Sequence, residues 1–478
     1  MQMLPVEFKE RMTKLLGDES ERFFAELEGG HAVRSFRVNG IKISPESFEA
    51  TSPDIDRRPA RFPVGAYYTE EGFPGSLPCH HAGMIYMQDP SAMATVYATK
   101  VFAGAKVLDS CSAPGGKTTQ LAAFAGDEGI VVANEYESKR CRILQSNVER
   151  MGCRNTVVVN LDTAVLIETY PSVFDVVLCD APCSGEGMFR KNAQAIDEWS
   201  PQNVTMCAER QREILANVAK CVKGGGVLIY STCTFSLEEN EMNLAWFLDT
   251  FKDFSLEDVA PELKAVTADG IMLEGCEYDM TKARRFYPHV SAGEGQFIAV
   301  LRRNSADESE ISTPKKDKKK KGGVERASKE ESELLLEAKK FIEDNLKPCV
   351  SEMIGTRYEL VALGGRAFLK PCIALPKFGV FAAGVCVGEM VGRKFAPHHQ
   401  LFSAFGGEFL RRVCLSQGDR ETADYLLGME FPVGEREQNE GKAEGFAAVL
   451  VDNCPLGGVK ISGGVCKNHY PKGLRNQR

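Results

Sequence analysis

Two cysteines stand in loops that follow apolar strands of one sheet. Cys183 lies in Asp180-Ala-Pro-Cys-Ser-Gly185, after the apolar run 174–180. Cys233 lies in Tyr230-Ser-Thr-Cys-Thr234, after the run 227–232. A single free cysteine is more often inert packing, because a thiol behaves as a small hydrophobe. Loops rich in Pro, Ser, Thr and Gly are poor places for that, so the pair reads as two thiols available for nucleophilic chemistry. Free Cys is only a few per cent thiolate at neutral pH. A neighbouring cation raises that fraction, and Lys117 is the candidate. Asp180 ends the strand before Cys183, where as a protonated donor it can neutralise charge building on a substrate ring.

A second site element lies earlier in the chain. Val107-Leu-Asp-Ser-Cys-Ser-Ala-Pro-Gly-Gly-Lys-Thr-Thr-Gln-Leu121 reads as a strand, a tight turn and the start of a helix. In an open parallel sheet the ligand sits above such a turn, outside the carboxyl ends of the strands. The glycines let backbone N–H groups approach it. A phosphate loop of the Walker type needs Gly five residues before the Gly-Lys pair, and position 111 is Cys. With no arginine or magnesium motif either, a nucleotide hydrolase is excluded. Glu135 ends the next strand, roughly 20 residues on, where an acid accepts from both ribose hydroxyls of a nucleoside. Asp162 follows the third strand and can take the adenine amino group; Asp180 follows the fourth. A nucleoside cofactor without a pyrophosphate cradle points to S-adenosylmethionine rather than NAD. The expected cofactor set is Cys111, Ser112, Ala113, Pro114, Gly115, Gly116, Lys117, Glu135, Asp162 and Asp180. No CxxC pair exists in the chain, so no metal site is expected.

These residues need a doubly covered sheet to position them. Strand candidates at 106–110, 130–135, 156–160, 174–180 and 227–232 alternate with helices at 116–125, 138–151 and 203–222. The strands are continuous apolar runs, the pattern of a parallel sheet buried on both faces. A helix over 238–251 follows, and 285–289 with 296–302 forms a closing hairpin at the sheet edge. Ahead of this α/β core, 1–90 reads as a small RNA-binding domain led by two amphipathic helices. The core itself is 91–303. A charged linker, 304–331, carries a lysine run at 314–323 and cannot bury apolar area. Residues 332–390 read as an accessory α+β domain and 391–478 as a last small domain. No apolar run approaches the roughly 20 residues of a membrane span, and no signal pattern opens the chain. The expected location is the cytoplasm, so the 16 cysteines are read as thiols. The net charge of −8 argues against a chain that is basic all over. Local clusters remain: Arg57, Arg58 and Arg61; Lys282, Arg284 and Arg285; Arg393 and Lys394; and Lys467, Lys472, Arg475 and Arg478. They leave room for a nucleic-acid face.

At this point the sequence resembles a known family, the NOP/Sun-type RNA cytosine-carbon-5 methyltransferases. The resemblance rests on Ser112-Ala-Pro-Gly-Gly-Lys-Thr-Thr-Gln-Leu121, Asp180-Ala-Pro-Cys-Ser-Gly185, Ser231-Thr-Cys-Thr234 and Arg285-Phe-Tyr-Pro-His289 with Gly295-Gln-Phe-Ile-Ala299, spanning roughly 85–302. The family more often has an aromatic where this chain has Gln296. The resemblance implies a Rossmann-like class I S-adenosylmethionine-dependent core, with Cys233 as the nucleophile that attacks carbon 6 of cytosine and Cys183 aiding release. The opening Leu4-Pro-Val-Glu-Phe8 and the closing Tyr470-Pro-Lys-Gly-Leu-Arg475 look like the RsmF branch. That branch implies 16S rRNA of the small ribosomal subunit as substrate and PUA-like RNA-binding modules at the C-terminus. No membrane and no metal are involved on this reading, and the protein is a monomer. Two alternatives stay open: the same chemistry on tRNA, and a catalytically silent ribosome-assembly factor that binds RNA.

Overall fold

The computed structural model describes residues 3–30, 32–60, 63, 65–70, 75–305, 328–441 and 444–476. Most of the expected linker, including the lysine run, lies outside the described residues, as do Arg61 and Arg478.

Five parallel strands form the centre: β1 (Lys106–Asp109), β2 (Ile130–Asn134), β3 (Thr156–Val159), β4 (Phe174–Asp180) and β5 (Val222–Thr232). Their spatial order is β3-β2-β1-β4-β5. Leu108 of β1 is paired with Val132 on one side and Val177 on the other. The order therefore reverses at β1, and a crevice opens above its carboxyl end. Val107, Leu108, Val131, Val132, Val157, Val158, Val177 and Leu178 are all fully buried. Both faces are covered, which is why the strands read as unbroken apolar runs.

The covering helices are α1 (Gly116–Ala125), α2 (Ser138–Arg150), α3 (Thr163–Thr169) and α4 (Pro201–Val218). The sequence starts α4 at Ser200, whose hydroxyl accepts from Asn203 N–H, with Pro201 in the first turn. Val204, Ala208, Gln211, Leu215 and Val218 form its buried stripe, at the three-and-four spacing of one helix face.

Beyond β5 the sheet turns antiparallel. β6 (Arg284–Phe286) pairs with β7 (Gln296–Arg303), and β7 pairs with β5. The expected hairpin forms, and two further short strands join it: Ala268–Asp269 pairs with β6 and Phe254–Glu257 pairs with β7. Phe297 stands opposite Thr232, so Gln296 enters the region of the Cys233 loop. Two of the three basic residues at 282–285 are not on the surface. Arg284 and Arg285 are 4% and 1% exposed. Arg285 is forked onto Glu241 (Nε to Oε1 2.6 Å) and donates to the carbonyl of Phe235 at 2.8 Å. An arginine this deep persists only when paired. Arg285→Met should leave Glu241 buried without its partner and cost about 3–5 kcal/mol, read as a fall in the thermal unfolding midpoint.

The flanking regions pack onto this core. Helices Val6–Leu16 and Ser20–Gly29 bury Phe8, Met12, Phe23 and Leu27 with Phe189, Trp199 and Phe235. The leading segment thus backs the loops that carry the cysteines. At the other edge, β8 (Val380–Ala383) pairs antiparallel with β3, Val380 opposite Val159. The run 379–387 reads as one β-like stretch in sequence, but it splits at Gly384. That residue has φ +89°, and a Cβ there would fall 2.2 Å from the Leu369 carbonyl oxygen. One half joins the central sheet, and Val385–Val391 joins Tyr358–Leu363, Arg366–Pro371 and Lys394–Pro397 in a second sheet. A last sheet, built around Gly445–Val451 and Cys454–Ser462, shares its core with Phe36, Phe48 and Tyr67 of the leading region. Among the described residues, no helix is long and apolar enough to cross a membrane.

Candidate active site

β4 and β5 run parallel, with Cys179 opposite Tyr230 and Asp180 opposite Ser231. The loops that leave their ends start side by side, and that register brings the two cysteines together. Cys183 Sγ and Cys233 Sγ are 3.1 Å apart, and Cys233 N–H donates to Cys183 Sγ at 3.3 Å. Both are free and half-buried. Gly187 N–H donates to the Cys233 carbonyl at 2.9 Å. A side chain at 187 would press to 3.0 Å on that carbonyl and on Gly295, so a larger residue there would have to push the Cys233 loop back. Contact with Cys233, then burial, pushes the Cys183 thiol well above the ordinary cysteine range. Cys183 therefore keeps its proton and can donate it to the Cys233 sulfur.

Asp180 sits at the end of β4 under three donors. Lys117 Nζ, from the first turn of α1, donates to Oδ2 at 2.6 Å. Ser231 Oγ donates to Oδ1 at 2.7 Å and Gln296 Nε2 donates to the same oxygen at 3.1 Å. The sequence reading placed Asp180 as a donor; in this arrangement it accepts, and the ready donor beside it is Lys117. The Lys117 charge is also engaged by Asp180 rather than left free to act on the thiols.

The glycine turn forms the third part. Ser112 N–H donates to the Asn134 carbonyl at 2.9 Å. The Asn134 side chain in turn donates to the carbonyls of Ser110 (3.0 Å) and Leu161 (3.1 Å). Asn134 thus ties together the carboxyl ends of β1, β2 and β3. Gly115 takes the left-handed conformation, φ +109°, that only glycine adopts freely. Glu135 Oε2 accepts from Ala113 N–H (3.2 Å) and Oε1 from Glu137 N–H (2.9 Å). Each oxygen keeps a lone pair, so the carboxylate can take one hydroxyl of a vicinal diol on each. Asp162 is exposed and caps α3 through Ala164 N–H at 2.8 Å. That is the ordinary use of such an acid, and its outward face stays open. Contact with Cys179 and burial push the Cys111 thiol well up, which makes it an unreactive part of the loop. Asp109, fully buried below the loop, accepts from Thr118 Oγ1 at 2.6 Å, and burial pushes it up to about 7.

The sequence reading named Cys183, Cys233, Asp180 and Lys117, and the structure pairs the two sulfurs and pairs Lys117 with Asp180. It missed Ser231, Gln296 and Asn134. Ser231 was legible as the first residue of the Ser-Thr-Cys-Thr motif, and Gln296 as a polar residue in an aromatic position. Asn134 carried no such signal, because one Asn at a strand end is common.

The description "16S rRNA methyltransferase RsmB/F" matches residues 97–302. "N-terminal domain of 16S rRNA methyltransferase RsmF" matches 4–90, and "Methyltransferase RsmF PUA domain" matches 413–476. A protein named ribosomal RNA small subunit methyltransferase F from Serratia proteamaculans is 38% identical over 57% of each chain. A protein of the same name from Vibrio vulnificus is 36% identical over 92% of this chain and 91% of its own. Among solved structures, a methyltransferase homologue from Pyrococcus horikoshii superposes with a TM-score of 0.55 at 31% identity, covering 62% of this chain and 94% of that one. Another from the same organism, NSun6 with SFG, gives 0.54 at 23% identity, covering 63% and 99%, and bears on the fold alone. The methyltransferase core is framed by both flanking domains, and the likeness runs nearly end to end; this chain belongs to the RsmB/F family of 16S rRNA methyltransferases, in its RsmF branch.

Proposed function

We propose that this protein methylates carbon 5 of cytosine in 16S rRNA, with S-adenosylmethionine as donor and Cys233 as covalent nucleophile. The observation that carries this reading is the pair of sulfurs 3.1 Å apart beside the Lys117–Asp180 pair. Carbon 5 of cytosine is a poor nucleophile. A thiolate added to carbon 6 turns it into an enamine carbon. Cys233 gives up its proton to solvent, and the thiolate adds to carbon 6. Charge then builds on the ring at N3, and Lys117, held on Asp180, is the donor in place to offset it. S-adenosylmethionine, when bound, supplies a methyl group on a sulfonium that the activated carbon 5 takes. Backbone groups of Cys111 to Gly116 and the remaining lone pairs of the Glu135 carboxylate would hold it, with Asp162 at the adenine end. The proton on carbon 5 then passes to solvent, its electron pair restores the double bond between carbons 5 and 6, and the bond from Cys233 to carbon 6 breaks. Cys183 supports that last step by giving its own proton to the departing sulfur, and it regains one from solvent. The target base has to leave its stack to reach the thiols.

Lys117→Met should lower methyl transfer by about a hundredfold or more, while affinity for S-adenosylhomocysteine changes little. Tritium transfer from labelled cofactor, set beside calorimetric titration, measures both. The function itself is tested by the same transfer assay on purified small subunits, naked 16S rRNA and tRNA. Label in 16S rRNA supports the proposal. Label confined to tRNA would retain the chemistry and discard the substrate. No label in any of the three would favour the RNA-binding assembly factor.

A further inference from the structure

Two carboxyl groups lie behind the cysteine loops and take no part in the mechanism above. Glu186 and Glu239 are 1% and 0% exposed. They are joined by Ser184 and Thr234, the residues that directly follow Cys183 and Cys233. Glu239 Oε1 meets Ser184 Oγ at 2.5 Å. Ser184 Oγ meets Thr234 Oγ1 at 2.9 Å, and Thr234 Oγ1 meets Glu186 Oε2 at 2.9 Å. Three contacts in a row need three hydrogens. The two hydroxyls supply one each. The third has to sit on a carboxyl group.

The remaining partners distinguish the two acids. Glu186 Oε1 accepts from Trp199 Nε1–H at 2.8 Å, and Oε2 accepts from Phe235 N–H at 2.8 Å. Glu239 Oε2 accepts from Ser184 N–H at 3.0 Å and from Gln211 Nε2 at 2.7 Å. Glu239 Oε1 meets only hydroxyls, those of Ser184 and of Ser236 at 3.1 Å. A hydroxyl can accept a hydrogen bond, whereas an amide or indole N–H cannot.

We propose that Glu239 is held un-ionised and that the ordered chain Glu239 to Ser184 to Thr234 to Glu186 is a positioning device. It locks the two cysteine loops to each other and leaves one negative charge, not two, behind the thiols. A second anion there would oppose thiolate formation at Cys233. Burial pushes both carboxyls above the ordinary range. The charged and titratable groups around them include Cys183 and Cys233 from the loops, Cys207 from α4, Tyr230 from β5, Tyr287 just after β6, and Arg11 from the leading helix. Arg11 is engaged by Glu238 at 2.7 Å, so the cation named here does not call for a second carboxylate.

Glutamine tests the protonation because it copies an un-ionised acid. In Glu239→Gln the new NH₂ faces Ser184 and Ser236, and the carbonyl keeps both donors at Oε2. In Glu186→Gln the NH₂ has to face either Trp199 N–H or Phe235 N–H. The expected order of methyl transfer is Glu239→Gln within about threefold of wild type, and both Glu239→Ala and Glu186→Gln down by about thirtyfold or more. A melting series against pH gives an arm that needs no RNA. A carboxyl raised in the folded state binds more protons there than in the unfolded chain. Stability therefore falls as pH climbs from the ordinary glutamate range towards the raised value, and Glu239→Gln should lose part of that slope. The inverse order of the glutamine variants, or an unchanged slope in Glu239→Gln, would overturn the proposal. The activity arm rests on the proposed reaction and the melting arm does not, so the two failures are distinguishable.

Discussion

Replacing Cys233 by alanine should lower methyl transfer by about three orders of magnitude or more, the usual cost of losing a covalent nucleophile. Affinity for S-adenosylhomocysteine should stay close to wild type. The reason is local. The Cys233 contacts are with Cys183 and Gly187, whereas the loop 111–117 is held by Asn134, Glu135 and Thr118. Calorimetric titration of the variant beside a tritium-transfer assay separates binding from chemistry. Transfer at the wild-type rate would remove Cys233 from the reaction.

The second large effect concerns Cys183. Cys183→Ala should accumulate a covalent protein–RNA adduct that survives denaturing electrophoresis. The thiol kept protonated by its neighbour and its burial sits 3.1 Å from the Cys233 sulfur. Once it is gone, addition to carbon 6 still proceeds, but the departing sulfur has lost its nearest proton. The adduct is read as a slow band that collapses on ribonuclease treatment. An adduct in Cys233→Ala instead, with none in Cys183→Ala, would exchange the two roles.

Much of the core was legible because the physics there is local. The strand from Phe174 to Asp180 and the helix from Gly116 to Ala125 have the bounds that the sequence indicates. Apolar runs end where polar residues take over, and Gly-Gly opens the helix. The start of β5 was missed because Val222-Lys-Gly-Gly-Gly226 contains three glycines, and glycine weakens any reading of a strand. Here pairing with β4, Phe174 opposite Val222, holds it extended. β8 was not legible as part of the central sheet. Nothing in Val380–Ala383 says that its partner lies more than two hundred residues earlier, at Val159. Arg284 and Arg285 were misread for the same reason: a basic pair looks like surface until Glu241 and Thr267 are seen beneath it. At the site, the residues proposed to react were nameable from type and position, while the groups that hold them were not. Gln296 reaches Asp180, and Glu186 and Glu239 reach the hydroxyls beside the cysteines, only through strand pairing and loop packing. Residue spacing along one segment carries no trace of that.

The most direct measurement is bisulfite sequencing of ribosomal and transfer RNA from cells with and without this gene. The account predicts that at least one cytosine of 16S rRNA loses its protection when the gene is absent, and that a copy carrying Cys233→Ala does not restore it. Protection of every 16S cytosine unchanged by the deletion would contradict the account.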